Sequence, residues 1–262
     1  MRLVLDIRKT LEQNAAFYFE KAKKFKAKAK GARETAEKFR SKLAKQPVEK
    51  EHKKPELKEQ TSKHWYEKFR WFLSSEGMLC VGGRDAGSNE LIVKKHTDAH
   101  DLLCHTEAPG SPFFVIKTEG VKPNQLTIDE ALQATVSYSR AWKTGVAAAD
   151  AFCVTPEQVS KEANTGEHIA KGSFMVRGKR ETKQVPVKLA IGMLPDKRLM
   201  AGPESAVSKH CTNIMQIVQG DLKPSDAAKK IQKYIGTGEP DEIIRLLPAG
   251  ELRVIGNVPT HH

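Results

Sequence analysis

Residues 80–95 read CVGGRDAGSNELIVKK, and this stretch decides how the surrounding fold is built. The strand-forming run that ends at Val81 is stopped by two adjacent glycines, and Asn89 then opens the apolar and basic run that follows. This order predicts a strand, a tight glycine turn and a helix from about Asn89 to His96, with Asn89 as its N-cap. The free amides at the start of such a helix form a modest anion site, which Arg84 would close.

The spacing of Gly82 and Gly87 is that of a phosphate-binding P-loop, G-x-x-x-x-G. However, Ser88 and Asn89 stand where a P-loop needs Lys and then Ser or Thr, so nucleotide hydrolysis is not expected. The dinucleotide pattern G-x-G-x-x-G is also absent from this stretch. Two interpretations of the turn therefore remain open: a purely structural strand-to-helix connection, and a contact with a phosphate backbone.

The sequence after Ser74 alternates short β-rich runs with helical patterns. Turn residues bound seven runs of strand character: MLCVGG, DLLCHTE, SPFFVIK, AFCVT, GSFMVRG, VPVKLAIG and LRVIG. The helical patterns among them span about 89–96, 127–143, 225–235 and 240–246. Thr127, with Glu130 three residues later, predicts a capping box at the start of one helix. Together these elements predict an α+β domain with a mixed, largely antiparallel sheet flanked by helices.

The first fifth of the chain carries a basic helical pattern. Its apolar residues recur at alternating steps of four and three: Leu11, Ala15, Tyr18, Ala22, Phe25, Ala29, Ala32, Ala36, Phe39 and Leu43. This heptad seam predicts a long coiled-coil helix over about 8–46, with Gly31 as a weak point, and a homodimer or a protein partner along the seam. The flanking lysines form either a nucleic-acid-binding face or a solvated helix surface: Lys21, Lys23, Lys24, Lys26, Lys28 and Lys30.

The segment that follows the basic helix is predicted to be a linker. Residues 45–63, KQPVEKEHKKPELKEQTSK, are too polar to pack into a core. A second helix from about Glu56 to Leu73 is expected to fold back along part of the first. We therefore divide the chain after residue 58, with the basic coiled-coil helix and linker in 1–58 and the compact domain in 59–262.

The chain is basic, and one segment carries nearly all of the excess charge. Its 262 residues include 44 Lys and Arg against 32 Asp and Glu, a formal net charge of +12. Residues 8–58 hold 17 basic and 7 acidic residues, which accounts for +10. This charge favours nucleic acid as a partner, then an acidic membrane surface, with solubility alone as a third interpretation. No apolar stretch approaches the roughly 20 residues of a membrane-spanning helix, so no membrane partner is expected.

The cysteines and histidines predict neither a metal site nor catalysis. Four cysteines are scattered through the chain and are expected to be buried, reduced thiols of a cytoplasmic protein: Cys80, Cys104, Cys153 and Cys211. One cluster of potential metal ligands is present: His96, Asp98, His100, Asp101, Cys104 and His105. The aspartates read better as a polar turn that splays the histidines apart. No nucleophile signature is present either, so no cofactor, metal or enzymatic activity is expected.

A second basic stretch, KGSFMVRGKR at 171–180, has the alternation of a strand. One side would present Gly172, Phe174 and Val176, and the other would present Lys171, Ser173, Met175 and Arg177. With Lys179 and Arg180 just beyond, the second side is a cationic strip suited to phosphates, or else a solvated strand face.

Several stretches resemble, in the same order, those of one known family. They are HWYEKFRWFLSSEGMLCVGGRDAGSNELIVKKHTDAHDLLCHTEAPGSPFFVIK, AWKTG, DAFCVTPEQVSKEANTGEHIAKGSFMVRGKR and LLPAGELRV. They are similar to the C-terminal domain, NFACT-R, of the NFACT family of ribosome-associated quality-control factors, also described as fibronectin-binding-protein-A-like. Upstream, LDIRKTLEQNAAFYFEKAKKFKAKAKGA resembles the first helix of that family's coiled coil, whereas nothing here matches the family's N-terminal domain.

The resemblance implies binding to large-subunit ribosomal RNA and tRNA on the ribosome, in the quality control of stalled translation. Tail elongation, which full-length members carry out with their N-terminal domain, is not expected here. Candidate RNA-binding residues lie in the matching stretches and the basic strip: Arg84, Asn89, Lys94, Lys95, His105, Lys117, Lys161, Lys171, Arg177, Lys179 and Arg180. Asp85 reads as a partner of Arg84 or a helix cap. The alternative function is a coiled-coil scaffold or adaptor that recruits a protein partner or an RNA-modification enzyme.

Overall fold

The computed structural model of the chain describes residues 5–8, 10–44, 64–108, 110–161 and 172–256. The chain divides into two compact units, residues 1–61 and 62–262, and each is described by itself. The predicted linker at 45–63, the predicted boundary after residue 58 and Lys171 lie outside the described residues.

The first unit is built on one long helix, α1, at Leu11–Ala44. Asn14 is buried at its start, where its side-chain amide donates to the carbonyl oxygens of Asp6 at 3.0 Å and Thr10 at 3.1 Å. Its amide oxygen accepts from the main-chain N–H of Asp6 at 2.9 Å. The helix continues through Gly31, the weak point that the sequence predicted.

Large apolar side chains of α1 are exposed on more than one face. On the predicted seam, Leu11 is 77% exposed and Phe25 is 60% exposed. Off the seam, Phe17 is 52% exposed and Phe19 is 76% exposed. The side chains of the last two seam residues lie outside the described part of the helix. The exposed aromatic surface is therefore broader than the heptad pattern alone predicts.

The second unit contains two antiparallel sheets and a short ribbon, which confirms the predicted α+β class. The larger sheet has the order β1-β2-β4-β3-β5-β8, with β1 Arg70–Leu73, β2 Leu79–Gly82, β3 Leu102–Thr106, β4 Phe114–Ile116, β5 Ala148–Val154 and β8 Thr182–Pro186. The smaller sheet has the order β10-β9-β11-β12, with β9 Leu189–Met193, β10 Leu199–Gly202, β11 Thr212–Leu222 and β12 Leu252–Gly256. The ribbon pairs β6 Val159–Ser160 with β7 Met175–Val176.

Six helices and two single 3₁₀ turns connect these strands. The helices are α2 Ala86–Lys95, α3 Gln125–Ser137, α4 Ala141–Thr144, α5 Glu204–His210, α6 Pro224–Ile235 and α7 Pro240–Leu246. The 3₁₀ turns are at Trp65–Lys68 and Pro156–Gln158. The predicted capping box at Thr127 and Glu130 is wrong, because Asn124 is the N-cap of α3 and its side chain accepts from the N–H of Thr127. The buried Glu130 carboxylate instead accepts hydrogen bonds from Ser75 and Ser205.

The central strands of the larger sheet are buried on both faces. Alternate residues of its strands point to opposite sides, so that Val81 and Leu103 pack in a cluster with Ile92 of α2. Their neighbours Cys80 and Cys104 join the main core with α3 and the smaller sheet. The two-sided burial explains why these strands read as continuous apolar runs rather than as alternating ones.

Three elements differ from what the sequence predicted. The second helix, expected to reach Leu73, is wrong over its described part: Trp65–Lys68 form a 3₁₀ turn and Arg70–Leu73 form β1. The aromatic residues of this segment fill a core, which overrides their helical spacing. Cys104 and Cys153, expected to be reduced thiols, form a disulfide because β3 and β5 pair them directly. Cys80 and Cys211 are buried free thiols, as predicted.

Candidate nucleic-acid interface

Two glycines form the turn between β2 and α2 because neighbouring side chains approach them closely. A Cβ on Gly82 would lie 2.4 Å from the Phe114 ring, and one on Gly83 would lie 1.9 Å from the Asn89 amide oxygen. Asn89 is buried, and this oxygen accepts from the main-chain N–H of Phe113 at 3.2 Å. The structure therefore places Asn89 as a link between the turn and the segment that enters β4.

Helix α2 begins earlier than the sequence predicted. Asp85 is its N-cap: the carboxylate accepts from the N–H of Ser88 at 2.8 Å, and the Ser88 hydroxyl accepts from the N–H of Asp85 at 2.9 Å. The predicted N-cap at Asn89 is wrong, because this reciprocal capping box starts the helix at Ala86 and leaves Asn89 inside it. Of the two predicted roles for Asp85, the helix cap is confirmed.

The Arg84 side chain turns away from Asp85 and enters the domain. Its Nη2 donates to the carbonyl oxygen of Phe69 at 2.9 Å, and its Nε is buried without a hydrogen-bond partner. Among the described residues, no carboxylate oxygen lies within 4.0 Å of the guanidinium of Arg84 or of its neighbour Arg70. Burial, followed by the nearby charge of Arg70, lowers the pKa of Arg84. A cation with spare donor capacity thus lies behind the turn.

Arg84 borders a cavity of about 560 Å³. The cavity lies where the β2–α2 turn, the β3–β4 connection and the segment leading into β7 meet. Its wall contains three arginines and several rings, among them Arg70, Arg84, Arg180, Tyr138, Phe152 and Phe174. Two of these arginines lie over rings: the guanidinium carbon is 3.9 Å from the ring centroid for Arg70 over Tyr138, and 4.7 Å for Arg180 over Phe152.

One glycine brings the β7 segment to the start of α2. Gly172 has φ +79°, and a Cβ there would lie 2.5 Å from the Cα and carbonyl oxygen of Ala86. Because a side chain is excluded on both counts, the backbone of residue 172 closes one side of the cavity. Ser173, the next residue, is exposed and also borders the cavity.

His105 contributes a ring to the cavity wall rather than a charge. It stacks on Phe113 with ring centroids 4.2 Å apart, and its Nδ1 donates to the carbonyl oxygen of Thr106 at 2.7 Å. Burial lowers its pKa, although hydrogen bonds to the carbonyls of Thr106 and Ser111 oppose this effect. His105 is therefore neutral near pH 7 and offers aromatic surface.

The C-terminal part of α2 presents the two lysines of the sequence motif. Lys94 pairs with Glu90 at 2.7 Å, and Lys161 pairs with the same carboxylate at 2.9 Å. Hydrogen bonds from Lys94 and Lys161 lower the pKa of Glu90 to about 2. Lys95 is exposed. Lys94 and Lys161 together carry two positive charges against the one negative charge of Glu90. This end of α2 is therefore cationic.

Lys117 lies in an ion pair inside the fold. Its side chain is 13% exposed and donates to Asp98 at 2.6 Å and to Asp101, whose side chain is 1% exposed. Burial opposes the charge on Lys117, but the hydrogen bonds to Asp101 and Asp98 outweigh it and raise its pKa. The structure therefore separates Lys117 from the exposed candidate residues.

The predicted strip at 171–180 is only partly a strand, since β7 covers just Met175–Val176. Arg177, Lys179 and Arg180 are exposed and follow β7. Arg180 forms a bidentate pair with Glu107 at 2.8 and 3.0 Å. Phe174 and Val176 pack against the smaller core cluster, as the alternation predicted.

The lysines of α1 form a cationic surface in the first unit. All six of the predicted residues, Lys21, Lys23, Lys24, Lys26, Lys28 and Lys30, are exposed. Lys21 lies over the Phe17 ring at 5.8 Å, and Lys30 is 4.0 Å from Glu34. No acidic residue occurs between Lys21 and Lys30, so this surface is strongly positive.

The described residues bring together no group of three His, Cys, Asp or Glu side chains that could hold a metal ion. Asp98 and Asp101 are engaged with Lys117, and Cys104 is in the disulfide. Among the described helices, none combines the length and the apolar composition that crossing a membrane requires.

Sequence reasoning missed the residues that complete the cavity. Arg70, Tyr138 and Phe113 come from β1, the end of α3 and the residue before β4, and these segments are distant in the sequence. One local signal for Arg70 is present in the sequence FRWF at 69–72, where an arginine interrupts an aromatic run. The helix predicted up to Leu73 concealed this signal.

Residues 68–178 match the family described as the NFACT protein RNA binding domain. The archaeal Rqc2 homolog aRqcH of Methanocaldococcus jannaschii is 35% identical over 197 residues, which are 73% of this chain and 29% of that protein. A ribosome quality control complex subunit NEMF homolog of Drosophila melanogaster is 46% identical over 44% of this chain and 12% of its own length. Human ribosome quality control complex subunit NEMF is 36% identical over 75% of this chain and 18% of its length.

This chain thus spans less than a third of the length of each of these relatives. The matched segment, 68–178, contains the β2–α2 turn, the disulfide-linked strands and most of the cavity wall. The motif GGRDA, whose geometry is set by Gly82, Gly83 and Asp85, lies inside it. On these matches the chain belongs to the NFACT family.

Proposed function

We propose that this chain binds RNA of the large ribosomal subunit and tRNA, and that it acts in the quality control of stalled translation. Support comes from the matched RNA-binding domain and from relatives named as ribosome quality control factors. It would act by binding rather than by catalysis, in the cytoplasm. This proposal concerns the binding functions of these 262 residues and does not extend to the activities of the longer relatives.

The observation that carries the proposal is the set of exposed cations around the domain motif and along α1. Lys94, Lys95, Arg177 and Lys179 are exposed on the second unit, and six lysines are exposed on α1. Lysine and arginine provide most of the affinity for phosphate backbones, and rings of the cavity add surfaces for unpaired bases. Asn89 and Lys117 are best assigned to the stability of the fold.

The salt dependence of binding tests this proposal. Purified large ribosomal subunits and tRNA are titrated with the full chain at several monovalent salt concentrations. Each phosphate that is neutralised contributes roughly −0.7 to −0.9 to the slope of log affinity against log salt, so a steep negative slope is expected. An affinity that is insensitive to salt would contradict RNA binding through these cations.

The exposed apolar residues of α1 favour a second candidate function, that of a scaffold which docks a protein partner. Phe17, Phe19 and Phe25 are each more than half exposed on one helix. Exposed apolar patches, unlike single exposed apolar residues, mark protein-interaction sites. As a scaffold, the chain would recruit a protein partner or an RNA-modification enzyme, and the lysines would serve solubility.

Replacing aromatics and lysines separately distinguishes the two functions. A scaffold predicts that Phe19→Ser with Phe25→Ser abolishes co-purification of the protein partner and leaves RNA affinity intact. RNA binding predicts that replacing the lysines of α1 weakens RNA affinity and leaves co-purification of the protein partner intact. Circular dichroism checks that α1 remains helical in both variants.

A further inference from the structure

We propose that the cavity behind the β2–α2 turn binds one unpaired nucleotide of an RNA strand, with its phosphate at Arg84 and its base against the aromatic wall. The proposal rests on the proposed RNA-binding function and names the element that the domain recognises. It identifies the ligand as a nucleoside monophosphate unit, whether free or within a strand.

The anionic part of the ligand is assigned from the charges that face the cavity. Arg70 and Arg84 carry no carboxylate partner within 4.0 Å among the described residues, and the Arg84 Nε is buried without an acceptor. Two carboxylates also border the cavity, but Asp85 caps α2 and Glu107 is paired with Arg180. The cavity therefore has a net positive charge, because its three arginines, Arg70, Arg84 and Arg180, exceed these two carboxylates by one, and a phosphate group would compensate it.

The aromatic part of the ligand is assigned from the rings. His105 is neutral and stacked on Phe113, and Phe174 meets Phe113 edge-on with centroids 5.5 Å apart. The Arg180 guanidinium lies over the Phe152 ring on the same wall, with its carbon 4.7 Å from the ring centroid. Unpaired bases stack on such rings and on guanidinium planes, with a gain of roughly 1–3 kcal/mol per base.

The size of the cavity restricts the ligand further. Its volume of about 560 Å³ falls within the roughly 300–1,000 Å³ of small-ligand sites. One nucleotide fits, whereas a base-paired helix does not, since its bases are already stacked and paired. We therefore expect a preference for single-stranded RNA over duplex RNA, which surface cations alone would not give.

The test begins with free mononucleotides and the full chain. AMP, GMP, CMP and UMP are titrated and followed by amide NMR shifts, with inorganic phosphate and the matching nucleosides as separate arms. We expect shifts at Arg84, His105 and Phe174, and tighter binding of the mononucleotides than of phosphate or nucleoside alone. Shifts restricted to other surfaces, or equal binding of inorganic phosphate, would overturn the proposal.

Two variants then separate the cavity from the surface. Ser173→Glu places a negative charge at an exposed position bordering the cavity, and Lys209→Gln makes the same change in net charge at an exposed position outside it. We expect Ser173→Glu to weaken mononucleotide binding about tenfold or more and Lys209→Gln to leave it unchanged. Arg84→Lys keeps the positive charge but removes the planar set of guanidinium donors. We expect it to weaken mononucleotide binding to a similar extent. Thermal unfolding verifies that each variant is folded.

A short single-stranded RNA carrying 4-thiouridine distinguishes the possible failures. Crosslinks to the aromatic wall, lost in Ser173→Glu, support the proposal with RNA as the source of the nucleotide. Tight RNA binding that Ser173→Glu leaves unchanged would overturn the cavity site while the proposed RNA-binding function stands. Mononucleotide binding in the cavity without any RNA binding would overturn the proposed function and, with it, RNA as the ligand source.

Discussion

The side-chain amide of Asn89 occupies the space where residue 83 would carry a Cβ, 1.9 Å from that position. The absence of a side chain at Gly83 leaves space for the Asn89 amide. In this position the amide oxygen of Asn89 accepts the hydrogen bond from the main-chain N–H of Phe113. This relationship explains Gly83 as a packing requirement, and the close approach of the Phe114 ring explains Gly82 in the same way. In the nucleotide site that we propose, Arg84 is the residue of this motif that would contact the phosphate.

Gly83→Ala is expected to destabilise the domain by about 2 kcal/mol, because the new methyl group displaces the Asn89 amide from its hydrogen bond. The free energy of unfolding in urea measures this effect. Gly87→Ala is the matched control, since its Cβ would meet only the Asp85 carboxylate at 3.3 Å. Equal stability of the Gly83→Ala variant and the unsubstituted protein would contradict this account of the turn.

Lys117→Met is expected to destabilise the fold by about 3 kcal/mol, because it leaves the buried Asp101 without its cation. Lys122→Met, at an exposed lysine, removes the same charge and should have little effect. Urea unfolding provides the comparison, and RNA affinity is measured on the folded variant. Reduced RNA affinity together with normal stability would instead make Lys117 an RNA contact.

The carboxyl pKa of Glu90 provides a test by pH. Hydrogen bonds from Lys94 and Lys161 lower this pKa to about 2, so the ion pairs contribute stability at pH values above about 4.5 and lose it as the pH falls towards 2. Lys161→Gln is expected to raise the pKa towards 4.5, as followed by carboxyl ¹³C NMR, whereas Lys95→Gln is not. An unchanged pKa in Lys161→Gln would show that Lys161 does not pair with Glu90.

The lysines of α1 are expected to contribute to RNA affinity in proportion to their number. Replacing Lys24, Lys26 and Lys28 with Gln should reduce the magnitude of the log–log salt slope by roughly 2–3, since each contact contributes about 0.7–0.9. The control replaces three exposed lysines of the second unit, Lys209, Lys230 and Lys233. Equal slopes in the two variants would favour the scaffold function of α1.

The sequence predicted those elements whose boundaries are encoded locally. Helix α7 runs over Pro240–Leu246 as predicted, because its first residue is a proline. Helix α6 ends at Ile235 as predicted, because Gly236 follows it with φ +81°. The longest strand, β11, was missed because its glutamines and Asn213 interrupt the apolar pattern. The register of that strand depends on its neighbours β9 and β12, which no local signal reveals.

The candidate site was predictable only in part, for the same reason. Arg84, Lys94 and Lys95 could be assigned from one motif, and the exposure of Lys94 and Lys95 follows from their position in the last turn of α2. The Cys104–Cys153 pair joins positions 49 residues apart, and the cavity joins segments still more distant. Such long-range proximity is a property of the paired sheet and not of any local pattern.

Crosslinking in living cells, followed by sequencing of the attached RNA, is the most direct test of whether this chain binds large-subunit ribosomal RNA and tRNA. The chain is irradiated in place with ultraviolet light, purified under denaturing conditions, and the bound RNA fragments are mapped. We expect peaks on large-subunit ribosomal RNA and on tRNA, and we expect these peaks to be smaller when the lysines of α1 are replaced. A flat profile, equal to that of a non-binding control protein, would contradict this expectation.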